Sequence, residues 1–325
     1  MKILLKKTII FFRYPVDLII SLVIFFPALL LLFFRRMGSR RLRMTSAVLK
    51  KIGVWPIRNH YYEPLFRSDD LSKPLNEPRI LPGIDMNVEY QLNFLKTLNK
   101  NDEFIDFVKN EKLSSDADKF VLNNNSFGTG DSDFLFQFIR NTKPSKVIEI
   151  GSGNSTKVAH HALNLNKEID GVDGKHICFE PYEMPWLDKY PGIQLIREKV
   201  EDSLFSWSDE LEEGDLLFID STHMIRPQGD VLYEYLNIIP QLKSGVNVHV
   251  HDIFTPRDYL TDWIEEDVLF WNEQYLCEAL MCDKSRYKIL ASLNYLKHSH
   301  YDSLISVCPF VTKDREPGSF YFQIK

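Results

Sequence analysis

Val147-Ile148-Glu149-Ile150-Gly151-Ser152-Gly153-Asn154-Ser155-Thr156 is the stretch whose reading decides the fold. The apolar run from Lys146 to Ile150 predicts a short strand buried on both faces, as in a parallel sheet. Gly-Ser-Gly breaks that strand, and Asn154, Ser155 or Thr156 can cap a helix that follows. A strand, a glycine turn and a helix N-terminus in this order let a backbone approach a ligand closely and aim free N–H groups at it.

Downstream of this stretch the pattern alternates. Helices are expected at 157–165, 233–242 and 257–266, and strands at 176–180, 192–196, 215–220, 246–250, 287–290 and 319–324. Such alternation predicts a parallel α/β sheet with helices on both faces. Ligands of these sheets sit at the carboxyl ends of the strands, where the strand order reverses. The acids and histidines at those ends, Glu180, Asp220, His223, His251 and Asp252, therefore carry the functional information.

Upstream, 18–34 is a 17-residue run in which only Ser21 and Pro27 interrupt the apolar character. That length suits a retained single-pass transmembrane helix, to which Tyr14 or Val16 can add. A cleavable signal peptide competes with that reading, but the run ends in Phe33-Phe34-Arg35-Arg36 rather than at small residues. A third reading is a hairpin bent at Pro15 or Pro27. Lys2, Lys6, Lys7 and Arg13 flank the run on one side, and Arg35, Arg36, Arg40, Arg41 and Arg43 on the other. The second cluster is larger, which places the rest of the chain in the cytoplasm. Lys50 and Lys51 extend a basic strip suited to anionic headgroups or to plain solvation.

The expected organisation is an anchor with basic flanks at 1–51, a proline-rich linker at 52–85 and a catalytic domain at 86–325. That domain opens with a helical lid, 86–144, containing one helix at 87–108 and another at 133–140. The polar loop 123–131 between them is either a mobile lid or an ordinary turn. In the linker, Tyr61, Tyr62 and Phe66 suggest packing on the domain.

Charge narrows the function classes. The net charge of -6 conceals eleven Lys/Arg against one acid in 1–51, leaving 28 bases against 44 acids beyond. A domain this acidic is unsuited to nucleic acid, whose binding depends on cationic contacts to phosphates. The apolar content of 44% is that of an ordinary folded protein. Cys178, Cys277, Cys282 and Cys308 form no CxxC pair and suit a reducing compartment.

Glu149-Ile150-Gly151-Ser152-Gly153, followed by Phe179-Glu180-Pro181, resembles the class I S-adenosylmethionine-dependent methyltransferases. Phe218-Ile219-Asp220-Ser221-Thr222-His223 and Val250-His251-Asp252-Ile253 resemble its small-molecule O-methyltransferase-like branch, which includes catechol-type and macrolide-sugar enzymes. The resemblance covers 120–325. It implies a Rossmann-like doubly wound sheet, mostly parallel with the last strand antiparallel, and S-adenosylmethionine as cofactor. Gly151, Ser152 and Gly153 would hold the methionine end, Glu180 the ribose hydroxyls, and Glu201 and Asp202 the adenine, with Asp220 beside the cofactor. Glu149 is placed either on the ligand's amino group or on neighbouring backbone, and Glu180 is also readable as a helix cap. Thr156 stands where a dinucleotide fingerprint wants its third glycine, which weakens a nicotinamide reading.

In metal-dependent relatives, acids matching Asp220 and Asp252 hold magnesium. A hard cation there lowers the pKa of a bound hydroxyl. His251 stands where some relatives have an acid, so Asp220, His251 and Asp252 are the candidate ligands of magnesium or a softer ion such as manganese. Without metal, His223 or His251 is the general base, with Asp220 beside them. The bland alternative is a polar cleft in which Asp220 caps a turn. His249 shares a face with His251 and reads as a core histidine rather than a third ligand.

Arg226, Arg257, Asp258 and Tyr259 fall on loops past the strand ends. Trp263, Phe270, Trp271 and Tyr275 are assigned to the next helix, as core or as an acceptor pocket. His298 and His300 read as a polar hairpin loop. The expected protein is a membrane-anchored O-methyltransferase acting on a glycan, lipid-linked or other hydroxylated small-molecule acceptor. The competing functions are NAD-dependent oxidoreduction and a catalytically inactive membrane-tethered binding protein.

Overall fold

Seven strands form one sheet in the order β3-β2-β1-β4-β5-β7-β6, in a computed structural model that describes residues 2–113, 119–124 and 126–325. The first five strands are β1 (Lys146–Ile150), β2 (Lys175–Phe179), β3 (Ile193–Ile196), β4 (Leu216–Ile219) and β5 (Asn247–Val250), all mutually parallel. β6 (Tyr287–Ser292) and β7 (Phe320–Ile324) complete it, with β7 antiparallel to both neighbours and a bulge between Ile289 and Ala291. This is the doubly wound, mostly parallel sheet expected from the alternation. The order reverses between β1 and β4.

Both faces of the sheet are covered, which is why β1 is apolar on successive residues. On one face, Val147, Leu216, Phe218 and Tyr321 pack under helices α3 (Val88–Leu95), α4 (Asn101–Leu113), α5 (Asp131–Thr142) and α6 (Asn154–Asp170). On the other, Ile148, Leu217 and Val248 meet Trp207 of α7 (Trp207–Glu210), Val231 of α8 (Asp230–Tyr233) and Tyr235 beyond it. Arg140 of α5 is fully buried and is neutralised by Glu103 (2.5 Å) and Asp170 (2.7 Å), which ties α5 to α4 and α6. A buried guanidinium is tolerated only with partners of this kind.

Several local expectations are corrected. The helix expected at 87–108 is two helices, broken at 96–100. There Thr97 bonds its hydroxyl back to the Phe94 carbonyl (2.7 Å) and the Lys100 amide donates to Gln137 Oε1 (2.8 Å). The helix expected at 233–242 starts at Asp230, widens into a π turn over Glu234–Ile238 and closes as a 3-10 turn. The helix expected at 257–266 shrinks to α9 (Thr261–Glu265), because the Arg257 carbonyl is taken by the Arg79 and Gln274 side chains (both 2.8 Å). Phe270 and Trp271 precede α10 (Glu273–Met281) instead of lying on a helix. His298 lies in the last turn of α11 (Leu293–Ser299) and His300 joins it to α12 (Tyr301–Ile305), so this is no hairpin loop: Leu293, Leu296 and Leu304 bury a helical stripe there. Asn125, in the loop read at 123–131, lies outside the described residues.

The chain forms two compact units, Met1–Ser72 and Lys73–Lys325. The boundary falls inside the proline-rich stretch 52–85. In the larger unit, Arg79 is held by Glu278 (2.5 Å) and Asp258 (3.2 Å), and its amide by the Pro256 carbonyl (2.8 Å). In the smaller unit, α1 (Lys2–Met37) runs unbroken through Pro15 and Pro27, which removes the hairpin reading. Its stretch Tyr14–Met37 is long and apolar enough to cross a membrane. The side chains of Lys2, Lys6, Lys7 and Arg13 lie outside those described. An unexpected helix follows, α2 (Arg43–Ile52), ended by Gly53 at φ 83°. Tyr61 and Tyr62 are exposed, their rings tilted against each other with centroids 4.2 Å apart.

Candidate functional site

Backbone ladders carry three residues past the strand ends into one row. The Gly151 amide donates to the Phe179 carbonyl, the Asp220 amide to that of Ile150, and the His251 amide to that of Ile219, each at 2.9 Å. Gly151 has φ 82°, and a Cβ there would lie 1.9 Å from the Asp220 carbonyl oxygen. Only glycine permits that approach. Gly318 sits similarly against Asp252, whose Cα would lie 3.0 Å from an added Cβ.

Two cavities open on this row. The smaller, about 310 Å³, is lined by Gly151, Glu180, Glu201 and Asp220 among others. The larger, about 770 Å³, is lined by Thr129, Asp131, His251, Asp252, Arg257 and Trp263 among others. Asp220 thus belongs to the first wall, and His251 and Asp252 to the second. Of the residues expected to hold the cofactor, Gly151, Glu180, Glu201 and Asp220 line the smaller cavity. Ser152 is buried and Asp202 is exposed, and neither lines it. Gly153 donates its amide to Thr156 Oγ1 (3.0 Å). Thr156, in place of a third glycine, therefore closes the turn on itself.

Glu149 faces away from both cavities. Its carboxylate is fully buried and accepts from Ser155 Oγ (2.5 Å) and Thr156 Oγ1 (2.7 Å), with His176 Nε2 at 3.2 Å. It is tied to the first turn of α6. Glu180 Oε1 accepts the amides of Tyr182 (2.9 Å) and Glu183 (2.8 Å), so it shapes the turn after β2 as well as lining the cavity.

Where the cavities abut, carboxylates surround two imidazoles. His223 Nε2 lies 3.5 Å from Asp220 and 3.4 Å from Asp252, while its Nδ1 bonds Glu273 at 2.8 Å. His251 Nδ1 lies 3.3 Å from Asp220 and 3.4 Å from Asp252. Its Nε2 is 3.7 Å from Asp131, too long for a hydrogen bond, and has no other partner among the described residues. His223 and Asp252 have φ of 59° and 57°, a backbone state of about 1–3 kcal/mol that non-glycine residues hold only where surroundings impose it. The restraint is visible: the His223 carbonyl accepts the Asn272 and Glu273 amides, at 3.0 and 3.2 Å.

The charges respond to this crowding. Burial alone would lower the His223 pKa, but the Glu273 hydrogen bond and the charges of Glu273, Asp252 and Asp220 push it up to about 9. Burial likewise opposes charge on His251, yet Asp252, Asp220 and Asp131 hold it well above its ordinary value. Burial raises Asp252 to about 6, whereas the two histidines, His251 foremost, outweigh burial at Asp220 and hold it low. By contrast His249, stacked between Phe218 and Tyr321 (4.1 Å each), has neither ring nitrogen bonded among the described residues. Burial depresses it well below the ordinary value, as in a neutral core histidine.

Asp220, His223 and Asp252 each offer one ligand atom within 4.8 Å of the others. Two hard oxygens and one imidazole suit magnesium or manganese, and the hydrogen bond that His223 Nδ1 donates to Glu273 fixes the orientation of His223 as outer partners of metal-bound histidines do. This set differs from the one expected, with His223 in place of His251. Glu273 and Asp131 were missed by sequence reasoning. Glu273 lies 50 residues beyond its partner with no motif around it, and Asp131 closes a polar loop that reads equally as a lid or as an ordinary turn. Asp131 also accepts the Gly318 and Ser319 amides (3.0 and 2.8 Å), which fixes it beside the cluster.

Residues 148–253, from β1 to just beyond β5, match the family model of a methyltransferase domain. A curated protein of Archaeoglobus fulgidus, described as uncharacterized, is 27% identical over 180 residues, which cover 52% of this chain and 79% of its own. A TehB-like SAM-dependent methyltransferase structure from Corynebacterium glutamicum aligns over 69% of this chain and 98% of its own, at 10% identity and TM-score 0.34. A structure described as cmcI-D160 Mg-SAM aligns over 60% and 71%, at 12% identity and TM-score 0.34.

The close packing of Gly151 makes a direct prediction. Gly151→Ala should lower stability by ~2–4 kcal/mol, from the clash and the strained φ together. Chemical denaturation measures it, and an unchanged midpoint would mean that residue 151 is not pressed against Asp220.

Proposed function

We propose that this chain, whose residues 148–253 match a methyltransferase-domain model, is a class I S-adenosylmethionine-dependent methyltransferase that transfers a methyl group to a hydroxyl oxygen of an acceptor in the larger cavity. The observation that carries this reading is the acid–histidine cluster standing between two cavities, with Asp220 in one wall and His251 and Asp252 in the other. Methyl transfer needs an acceptor oxygen aligned with the donor and relieved of its proton, so positioning and deprotonation carry the catalysis.

The residues divide that work. Gly151 allows the donor to lie against the backbone, and Glu180 accepts from its ribose hydroxyls, as acids at this strand end do. Glu201 contacts the adenine side. Asp220, His223 and Asp252 would hold magnesium or manganese, whose charge would offset the surrounding carboxylates, lower the pKa of an acceptor hydroxyl and lower the proton affinity of His251. His251 Nε2, in the wall of the larger cavity and without a hydrogen-bond partner among the described residues, takes the acceptor's proton. Asp131 stabilises the imidazolium so formed. His223 is oriented by Glu273, which in turn accepts the Tyr235 hydroxyl (3.1 Å).

The acceptor is a glycan or lipid-linked hydroxyl compound presented at a membrane. The polar wall and Trp263 of the larger cavity support a hydroxyl-rich ligand, and Tyr14–Met37 supports a single-pass anchor. The basic cluster Arg35, Arg36, Arg40, Arg41 and Arg43 supports a cytoplasmic catalytic unit.

Calorimetric titration tests the donor assignment. S-adenosylmethionine should bind the purified protein, and Glu180→Gln should weaken it about tenfold by removing charge from the ribose contact. Binding of NAD with no binding of S-adenosylmethionine at millimolar concentration would overturn the reading in favour of oxidoreduction.

Manganese titration tests the cluster. Asp220→Asn should abolish binding of the ion, and Glu273→Gln should weaken it about tenfold, the effect of losing an outer partner. Equal manganese affinity in Asp220→Asn and the unaltered protein would remove the metal from the account.

A further inference from the structure

α2 buries no residue and is divided lengthwise. Met44, Val48 and Ile52 recur every four residues, hence on one side, and are 87%, 57% and 66% exposed. Arg43 and Lys50 stand on the opposite side and Lys51 borders the stripe beside Met44, all exposed. A ten-residue helix is marginal alone in water, and its apolar stripe is ordinarily covered. Among the described residues of its own unit, none buries this one.

Two observations identify the cover. The first is position. α2 begins six residues after α1 ends, and Trp55, just past it, packs edge-on against Phe34 in the last turns of α1 (5.6 Å). Arg35 and Lys50 each lie 5.7 Å from the same indole ring. Glu63 binds Arg35 (2.5 Å) and Arg58 (2.9 Å), so the chain is folded back onto the end of the apolar span. α2 is therefore held at the level where that span ends, and Trp55 sits where aromatic residues mark membrane interfaces. The second is charge. Between Asp17 and Glu63 no acid occurs, whereas Arg40, Arg41, Arg43, Lys50 and Lys51 surround the stripe. That pattern complements an anionic surface.

We infer that α2 lies flat in the surface of an anionic bilayer, with Met44, Val48 and Ile52 among the acyl chains and the five cations among the lipid phosphates. This is the arrangement of interfacial amphipathic helices. The inference rests on the proposed anchor, because α1 brings α2 to the bilayer. Together they make a two-part attachment in which the span supplies permanence and α2 supplies preference for anionic lipid.

Hydrogen–deuterium exchange of the full chain tests this in nanodiscs of phosphatidylcholine alone and of equal parts phosphatidylcholine and phosphatidylglycerol. Amides of α2 should exchange about tenfold more slowly in the anionic discs. Val48→Glu, at an exposed position that leaves the fold intact, should abolish the protection, and Lys50→Ala with Lys51→Ala should abolish the difference between the lipids. Fast exchange in both discs, or equal protection in both, would overturn the inference. So would protection that rises with protein concentration, which would identify a second copy as the cover. Flotation of the chain with vesicles separates the two readings: a chain that does not float defeats the anchor, whereas one that floats with α2 unprotected defeats only the role of α2.

Discussion

The carbonyl oxygen of Asp220 occupies the space that a side chain on residue 151 would need. That single close approach joins the turn after β1 to the end of β4 at the point where the strand order reverses. It brings the floor of the smaller cavity within touch of the acid–histidine cluster, and the ladder bond from His251 to Ile219 extends the row to β5. With these three strand ends in register, the walls of the two cavities become neighbours. The seven-stranded sheet supplies the rigidity, and the glycine supplies the proximity.

Electrostatics then decides what the junction does. Asp220, Asp252, Asp131 and Glu273 are crowded around two imidazoles, with little solvent to relieve them. Such a group is stable only if the charges are balanced, by protons on the histidines or by a bound cation. The raised pKa values of His223 and His251 express the first state. Positive φ at His223 and Asp252 and the glycine at 318 keep the groups from relaxing apart. The site is thus preorganised for positive charge, which is what a hard divalent ion supplies.

Much of this was legible in the residues. Continuous apolar runs ending in Gly, Glu, Asp or His marked β1, β2, β4 and β5, because strands buried on both faces leave polar residues only at their ends. Glu180, Asp220, His223, His251 and Asp252 stand out for that reason, and they line the two cavities or the cluster between them. Glu149 was not resolved in the same way: its strand position was evident, but its tie to Ser155 and Thr156 depends on how the α6 turn closes. Glu273 and Asp131 were invisible because their partners are set by tertiary packing and not by local pattern. The helices at 87–108 and 257–266 were overextended for a related reason, since long-range bonds to Gln137, Arg79 and Gln274 took the backbone groups that a helix would have used. The amphipathic α2 was read only as a basic strip, the cations drawing attention from Met44, Val48 and Ile52 between them.

The central claim is that the two cavities are the donor and acceptor halves of one site, joined at Asp220, His223, His251 and Asp252. A crystal structure of the protein with S-adenosylhomocysteine and manganese tests it most directly. The account predicts the ribose hydroxyls on Glu180, the sulfur turned toward the larger cavity, and manganese on Asp220, His223 and Asp252. A nucleoside bound in the larger cavity, or a sulfur directed away from the acid–histidine cluster, would contradict it.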